Sequence, residues 1–326
     1  MLDVKRMVIL RDLAEHTRVT AVADLHGVTP SAVSQQLRAL EAEAGAALVE
    51  REGRGLRLTP AGMALAAACE PVLAALERAE GAVRALDAEL SGELAIGCAP
   101  SALATVAAPL VAELAVRHPR LRPRIVQADP EEAVPRLRQR RLDLAVTYAY
   151  PLLGAPPAAG TTAVPLFDDP LCLALPQALL PAYERDGLAA LRESAWVSAP
   201  APSSCREMLL HACRNAGFTP RIAHECADLR SGLWLVATGQ AVSILPKLLC
   251  DAPPPGAAVR ELPGRGRTLD VLVRAGTETQ PAVAATLAAL TSLTSSAPRT
   301  PSASSASSAS SASSASSASS APLTAR

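Results

Sequence analysis

Residues 20–41, TAVADLHGVTPSAVSQQLRALE, constrain the fold more than any other stretch. They read as two short helices joined by a sharp turn. On the first helix Val22, Ala23 and Leu25 can face inward, and Gly27 ends it where left-handed backbone costs little. Val28 is expected to plug the corner. Thr29 is placed to cap the second helix, and Pro30 fits its first position, where the missing N–H costs nothing. Val33, Leu37 and Leu40 recur at helical spacing and must be buried, which leaves Ser31, Ser34, Gln35 and Arg38 on the opposite face. This is a helix-turn-helix pattern whose second helix begins with short polar groups and an amide. Gln pairs bidentately with adenine, Arg forks onto guanine or phosphate, and Ser bonds phosphate or a base edge. A solvated face has the same composition, so the pair alone fits a DNA reader or a plain helical hairpin.

The flanking residues favour the reader. Residues 7–15 supply a preceding helix with Leu10, Leu13 and Ala14 turned to the same core, and the second helix runs on to a turn at Gly45. Residues 49–59, VEREGRGLRLT, read as a small hairpin with Gly53 and Gly55 at its tip and Arg51, Arg54 and Arg57 around the loop. Such a wing lays arginine along phosphates or into a narrowed minor groove. Glu50 and Glu52 interleave with the arginines, as in a merely solvated hairpin. Thr59-Pro60 then repeats the cap-plus-proline start and opens a helix expected to reach about residue 90, roughly 45 Å at ~1.5 Å per residue. Leu65, Cys69, Val72, Leu76, Ala79, Val83, Leu86 and Leu90 alternate steps of four and three, the heptad seam of a coiled coil. Pro71 is expected to kink the helix or leave a carbonyl near Ala67 unpaired. The seam predicts a homodimer, with a tetramer left open, and names Leu65, Val72, Leu76, Val83 and Leu86 as dimerisation residues. A two-fold dimer would present two recognition helices to a pseudo-palindromic DNA site.

Ser91-Gly92 ends the helix and a different composition begins. Strand patterns at 94–98, 124–128 and 142–148 alternate with helical patterns at 103–114 and 131–139. A second set has strands at 171–175, 196–198, 221–225 and 242–245, with helices at 204–215 and 229–238. A strand at 269–273 and a helix at 282–293 close the fold. This alternation predicts parallel α/β units in two lobes joined by crossing strands, with a cleft between. The expected organisation is a DNA-binding domain at 1–59, a linker helix at 60–90 and an α/β domain at 91–294. Within the last, lobe I takes about 92–163 and 269–294, and lobe II about 164–268. The remaining tail, 295–326, is dominated by a Ser-Ser-Ala repeat with nothing to bury and is expected to be disordered.

Composition narrows the function. With 49% hydrophobic residues a sizeable core is available in each domain, although aromatics are only 2%. Lys+Arg 31 against Asp+Glu 31 leaves zero formal net charge, so any positive face must come from how the arginines are placed. The chain opens with no signal-like run, and no apolar stretch of membrane-spanning length is expected, which argues for the cytoplasm. Seven cysteines without CxxC or Cys/His spacing fit reduced thiols and argue against zinc. GxSxG, HExxH, P-loop and dinucleotide fingerprints are absent, and His16, His26, His118, His211 and His224 show no ligand spacing. An enzyme is therefore disfavoured. A solute-binding protein would share the two-lobed cleft but would need an export signal and no winged helix-turn-helix.

AVADLHGVTPSAVSQQLRALEAEAG and LVEREGRGLRLTPAG resemble the DNA-binding domain of LysR-type transcriptional regulators. The pattern is carried by Ala23, Leu25, Val28, Ser31, Ala32, Val33, Ser34, Gln35, Leu37, Leu40, Glu41, Gly45, Leu48, Arg51, Leu58, Thr59 and Gly62. Later, GCAPSA, LDLAVTY, PLFDDPLCLALP and VATGQAVSILP fall where that family has comparable segments. Val49 stands where the family usually has Phe, and Ile9 and Leu10 replace an aromatic in the first helix. The resemblance implies an α/β protein overall: an all-α winged helix-turn-helix, a coiled-coil linker helix and a two-lobed domain like that of periplasmic binding proteins. It implies DNA contacts from Thr29, Ser31, Ala32, Ser34, Gln35 and Arg38 in the major groove, and from Arg51 and Arg54 on the wing. The ligand would be a small-molecule co-inducer or co-repressor rather than a cofactor. Its lining would come from Pro100, Ser101, Ala102, Gln127, Thr147, Tyr148, Ser203 and Ser204, at strand ends and helix starts that favour anions. The serines are also expected to cap their helices. Implied partners are promoter DNA, a second copy of the chain and, for an activator, RNA polymerase. An alternative on the same scaffold is thiol-based redox sensing through Cys205 and Cys213. Eight residues apart on one helix, they lie roughly 12 Å apart by rise, so bridging them would require melting that helix.

Overall fold

The computed structural model describes residues 1–52, 55–86, 89–154, 159–264 and 266–296, so Arg54 and the Ser/Ala repeat lie outside the described residues. The head begins with α1 (Val4–His16), which starts earlier than its apolar pattern because the Asp3 carboxylate accepts from the Lys5 and Arg6 amides. Next come α2 (Val19–His26), closed by Gly27 at φ 63°, and α3 (Pro30–Ala44), whose first turn is capped by the Thr29 hydroxyl on the Ala32 amide at 3.2 Å. Val22, Ala23, Val33, Leu37 and Leu40 join Leu10 and Leu13 in one buried core. Val28 does not plug the corner; it is 45% exposed, because the Ala23 carbonyl and the left-handed Gly27 already close the turn. The strands β1 (Val49–Glu52) and β2 (Gly55–Leu58) pair antiparallel as the expected hairpin.

The linker helix α4 (Pro60–Arg84) is capped by Thr59, whose hydroxyl accepts from the Gly62 amide at 3.0 Å. It ends at Arg84 rather than near residue 90, and it runs unbroken through Pro71, which sits on its exposed side. Its residues divide between two jobs. Cys69 is buried in the head core and Leu65 packs against that core, so these two leave the expected heptad seam because the head needs a lid. Val72, Leu76 and Val83 remain exposed along the other face, and Leu86, expected in the seam, is exposed in the turn past the helix end. Farther on, buried Glu77 fastens the helix to the α/β domain.

Lobe I contains β3 (Gly92–Cys98), α5 (Ala108–Arg117), β4 (Leu121–Gln127), α6 (Pro130–Arg138), β5 (Leu144–Ala149) and β6 (Thr161–Asp169). Lobe II contains β7 (Leu171–Pro176), α7 (Leu180–Asp186), β8 (Ala195–Ser198), α8 (Ser204–Asn215), β9 (Arg221–Glu225), α9 (Leu229–Ala237), β10 (Ser243–Pro246) and β11 (Ala257–Glu261). The chain returns through β12 (Arg267–Arg274) and ends the described fold with α10 (Pro281–Ser296). In lobe I the order is β4-β3-β5-β12-β6; β3 is parallel to β4 and β5, while β12 runs antiparallel to both neighbours. In lobe II β8 and β9 are parallel, but β10-β7-β11 is an antiparallel trio. The expectation of parallel units therefore holds for β3, β4 and β5 and for β8 with β9. Of the two crossing strands only β12 runs against the rest: β6 leaves lobe I in the direction of β3, β4 and β5, and β12 re-enters between β5 and β6 antiparallel to both.

By length and composition, Pro60–Arg84 and Pro100–Arg117 do reach what a membrane span needs, against the sequence expectation. Both are parts of the folded chain. The first lies against α1 and carries the buried Glu77; in the second Leu110 and Leu114 enter the lobe I core.

Candidate DNA interface and effector site

The reading face is built on α3. Val33, Leu37 and Leu40 anchor one side, which leaves Ser31, Gln35 and Arg38 exposed on the other and Ala32 and Ser34 half-buried. The Thr29 and Ser31 hydroxyls lie 2.9 Å apart, Ser34 Oγ donates to the Pro30 carbonyl at 2.9 Å, and Arg38 Nε reaches the Ser34 carbonyl at 3.3 Å. Those bonds hold the short side chains against their own helix. Gln35 makes none among the described residues and stands free.

On the hairpin, Arg57 pairs with Glu50 and lies 3.6 Å from Glu52, so two of the interleaved acids neutralise one wing arginine. Arg51 is exposed and has no acid partner among the described residues. Glu41 sets the wing against α3: its carboxylate accepts from the Leu48 and Val49 amides at 2.9 and 3.2 Å. Gly62 keeps α4 tight against the same corner, where an added Cβ would stand 2.0 Å from the Leu48 carbonyl oxygen.

The second site lies where the lobes meet. Arg267, at the start of β12, is fully buried and pairs with Asp169 at the end of β6, 2.8 Å away. It also donates to Ser101 Oγ at 2.8 Å, and its guanidinium carbon lies 4.5 Å from the centre of the Tyr148 ring. Tyr148 donates to Asp129 at 3.2 Å, and the Tyr148 and Tyr150 hydroxyls lie 3.4 and 3.3 Å from the Cys205 sulfur in lobe II. The Ser204 amide bonds Glu131 of α6 at 3.2 Å, a second bridge between lobes. Burial raises the Tyr148 hydroxyl well above its ordinary value, with Cys205 and Asp129 adding to the shift, so it stays a neutral donor. Burial likewise raises the Asp129 carboxyl, although the Tyr148 bond opposes it.

Of the sequence-derived effector residues, Ser101, Tyr148 and Ser204 meet in this junction and the rest divide. Pro100 and Gln127 are exposed, Gln127 using its carbonyl to hold Arg136 at 3.3 Å. Ala102 is buried in the core that runs across both lobes. Thr147 is buried with its hydroxyl unpartnered; strand alternation turns it away from the Tyr148 side, together with Ala145 in the cluster beneath α6. Ser203 precedes α8 without a side-chain cap, and Ser101 takes a bond from Arg267 instead of capping, so the expected serine caps do not form. After Ser101 the chain winds through a wider turn at Leu103–Ala107, where the hydrogen-bond step lengthens to five residues. Periodicity does not reveal Arg267, Asp169, Asp129 or Tyr150; the available signal is charge placed at the ends of apolar strands, as in FDDP and GRGRTL. Among the cysteines, burial pushes the Cys213 thiol up to about 12, whereas Cys205 is half-buried between the two tyrosines.

Comparison with known proteins gives the family of both regions. The family described as "Bacterial regulatory helix-turn-helix protein, lysR family" matches residues 4–63, and "LysR substrate binding domain" matches residues 87–294. A probable hydrogen peroxide-inducible genes activator of Mycobacterium avium is 30% identical over 238 residues, covering 72% of this chain and 75% of that protein. The transcriptional dual regulator GltC of Bacillus subtilis is 26% identical over 288 residues, covering 86% and 94%. Among solved structures, ArgP from Mycobacterium tuberculosis superposes with a TM-score of 0.56 at 19% identity, over 91% of this chain and 98% of that one. A full-length OxyR from Pseudomonas aeruginosa gives 0.54 at 21%, over 89% and 95%. At these identities the structures speak to the fold alone. The matched families cover the head and both lobes, and on that ground the chain belongs to the LysR family of transcriptional regulators, DNA-binding proteins that are not enzymes.

Proposed function

We propose that this regulator works in the cytoplasm as a dimer and reads an inverted-repeat promoter site with two copies of α3. The observation that carries the reading is the exposed Ser31–Gln35–Arg38 face opposite a fully buried Val33–Leu37–Leu40 face, with the wing fixed beside it by Glu41. Gln35 and Arg38 discriminate base edges, while Arg51 and Arg54 neutralise phosphate or the minor groove. Exposed Val72, Leu76 and Val83 pair two α4 helices, with Leu86 adding to the seam just past their ends. A small-molecule effector enters the junction around Ser101, Tyr148 and Arg267 and changes how the lobes, and hence the two heads, are held. At activated promoters RNA polymerase is the further partner.

The test is a panel of single-base variants of a bound site. Gln35→Ala and Arg38→Ala should each flatten discrimination at one position by about 1–3 kcal/mol. Arg51→Ala should instead weaken every site alike and lower the salt slope by about one phosphate contact. If all three variants keep the wild-type profile, the DNA face has been misplaced.

One observation favours a second reading, thiol-based sensing. Cys205 sits at the lobe junction with two tyrosine hydroxyls on its sulfur, and a relative of this chain is named a probable activator of hydrogen peroxide-inducible genes. Buried Cys213, held protonated, is a poor partner for it. Under this reading the Cys205 thiolate attacks hydrogen peroxide, forming an S–O bond as the O–O bond breaks and water leaves; the resulting sulfenic acid alters DNA affinity, and Cys205→Ser abolishes the response. Mass analysis that finds Cys205 unmodified after peroxide treatment of the folded protein would remove the reading.

A further inference from the structure

The hydrophobic cores do not merge across the junction between the reading head and lobe I. The head core runs from Met7 to Cys69 with Leu73 packed against it, and the cores of the α/β domain begin at Leu94. Between them lies a cavity of about 470 Å³, with α1 and α2 on one wall, α6 and the end of β12 on the other, and α4 alongside. What crosses this junction is charge. Arg138, on the last turn of α6, pairs with Glu15 on the last turn of α1 and donates to the Ala159 carbonyl at 3.0 Å. Its side chain is 9% exposed. Glu70 of α4 stands 4.0 Å from Arg138 and 3.6 Å from Arg11. Arg11 pairs with Asp12 at 2.7 Å, and the other oxygen of Asp12 lies 2.7 Å from His26 Nε2. His26 is the final residue of α2, beside the Gly27 turn that sets the angle of α3.

We propose that Arg138 is a latch fastening the reading head to lobe I of its own chain. The charges running from it through Glu70, Arg11 and Asp12 to His26 carry the state of lobe I to the helix-turn-helix turn. A junction without shared apolar core has little to hold it but these ion pairs, so it separates more readily than the packed elements on either side. Buried charges that lose a partner are costly, which makes the arrangement two-sided: latched with its partners met, or opened into water. Glu70 is the loosest member, since its Oε1 is buried without a hydrogen bond. The other end of α4 is not part of the joint. There Glu77 is satisfied by Arg274 at 2.8 Å, Arg140 at 3.2 Å and Gln280 at 3.1 Å, and Gly276 lets the backbone close on Ala74. The joint therefore opens between α1 and α6, with the Glu77 end of α4 staying on lobe I and its Leu65–Cys69 end staying in the head core. This holds whichever effector binds and whether or not α4 pairs with a second copy.

Hydrogen–deuterium exchange on the full chain tests it, alone and with a bound DNA site. Arg138→Glu should raise exchange at residues 13–17 and 25–28 by about tenfold, while the strands of lobe I keep wild-type protection. The charge swap Glu15→Arg with Arg138→Glu should restore protection. DNA should change exchange across α6 in the wild type and leave it unchanged in Arg138→Glu, with DNA binding itself confirmed in both. Should Arg138→Glu fail to fold, Glu15→Arg, at a partly exposed helix end, gives the same single break. Wild-type exchange in the folded single variants, no recovery in the swap, or an α6 that ignores bound DNA in the wild type would each overturn the latch. Loss of all DNA binding would instead strike the assignment of the reading face.

Discussion

Asp12 shows how a residue with no DNA contact supports the reading head. It is buried, and burial alone would raise its carboxyl; the His26 bond and the Arg11 charge outweigh that and hold it below its ordinary value. A carboxyl lowered on folding contributes stability that is fully present above its ordinary value of 3.8 and is lost as pH falls through the lower folded value. Asp12→Asn strips Arg11 of its buried partner and should cost about 3–5 kcal/mol near neutral pH. In urea titrations the gap to wild type should stay constant at mildly acid pH and close below pH 3.8. A gap that persists unchanged into strong acid would mean that Asp12 does not act through its charge. Nothing in the local pattern RDLAEH singles out Asp12, because its partners come from the neighbouring residue, from α2 and, through Arg11, from α4. Gly62 is the opposite case. The family pattern marks it, and the Leu48 carbonyl pressing on its Cα supplies the physical reason.

At the scale of elements, local chemistry was the most legible part of this chain. Thr29-Pro30, Thr59-Pro60, Gly27 and Gly45 mark helix ends in the sequence, and the structure has them there. Length was less legible. The heptad run suggested a helix to residue 90, but α4 ends at Arg84, and Leu65 and Cys69 serve the head core rather than the seam. A single apolar stripe cannot report that one helix covers a core on one side and leaves a second stripe in solvent. That second stripe yields a prediction. Val83 is 69% and Leu86 84% exposed, more than a monomer gains by placing such side chains in water. Leu76→Asp with Val83→Asp should convert the dimer to monomer in sedimentation and leave the thermal transition of the α/β domain in place. A dimer that survives both changes would move the interface elsewhere. The strands β6 and β11 escaped the pattern as well, since Pro165 interrupts one and exposed Arg260 and Glu261 end the other.

Across the whole molecule, the lobes meet through named polar contacts laid over a continuous apolar core, and the head meets lobe I through ion pairs. Arg267 ties Ser101 to Asp169, and Cys205 spans to Tyr148 and Tyr150. Under the proposed function, an effector that displaces any of these would change the relation of the lobes. Ser101, Tyr148 and Ser204 at the lobe junction were legible in the sequence, but Arg267, Asp169 and Tyr150 were not, because the contacts that place them join residues 55 to 166 positions apart in the chain. Zero net charge leaves DNA affinity to placement, so a direct measurement of DNA reading carries the account. That measurement is selection from a randomised DNA library with the purified full chain at fixed, stated salt. The account predicts enrichment of an inverted repeat whose half-sites are one helical turn apart, or a multiple of it, with preference lost at one position of each half-site in Gln35→Ala and the half-site spacing lost in Leu76→Asp with Val83→Asp. No enrichment by a folded, dimeric protein, with or without added cell extract, would contradict it.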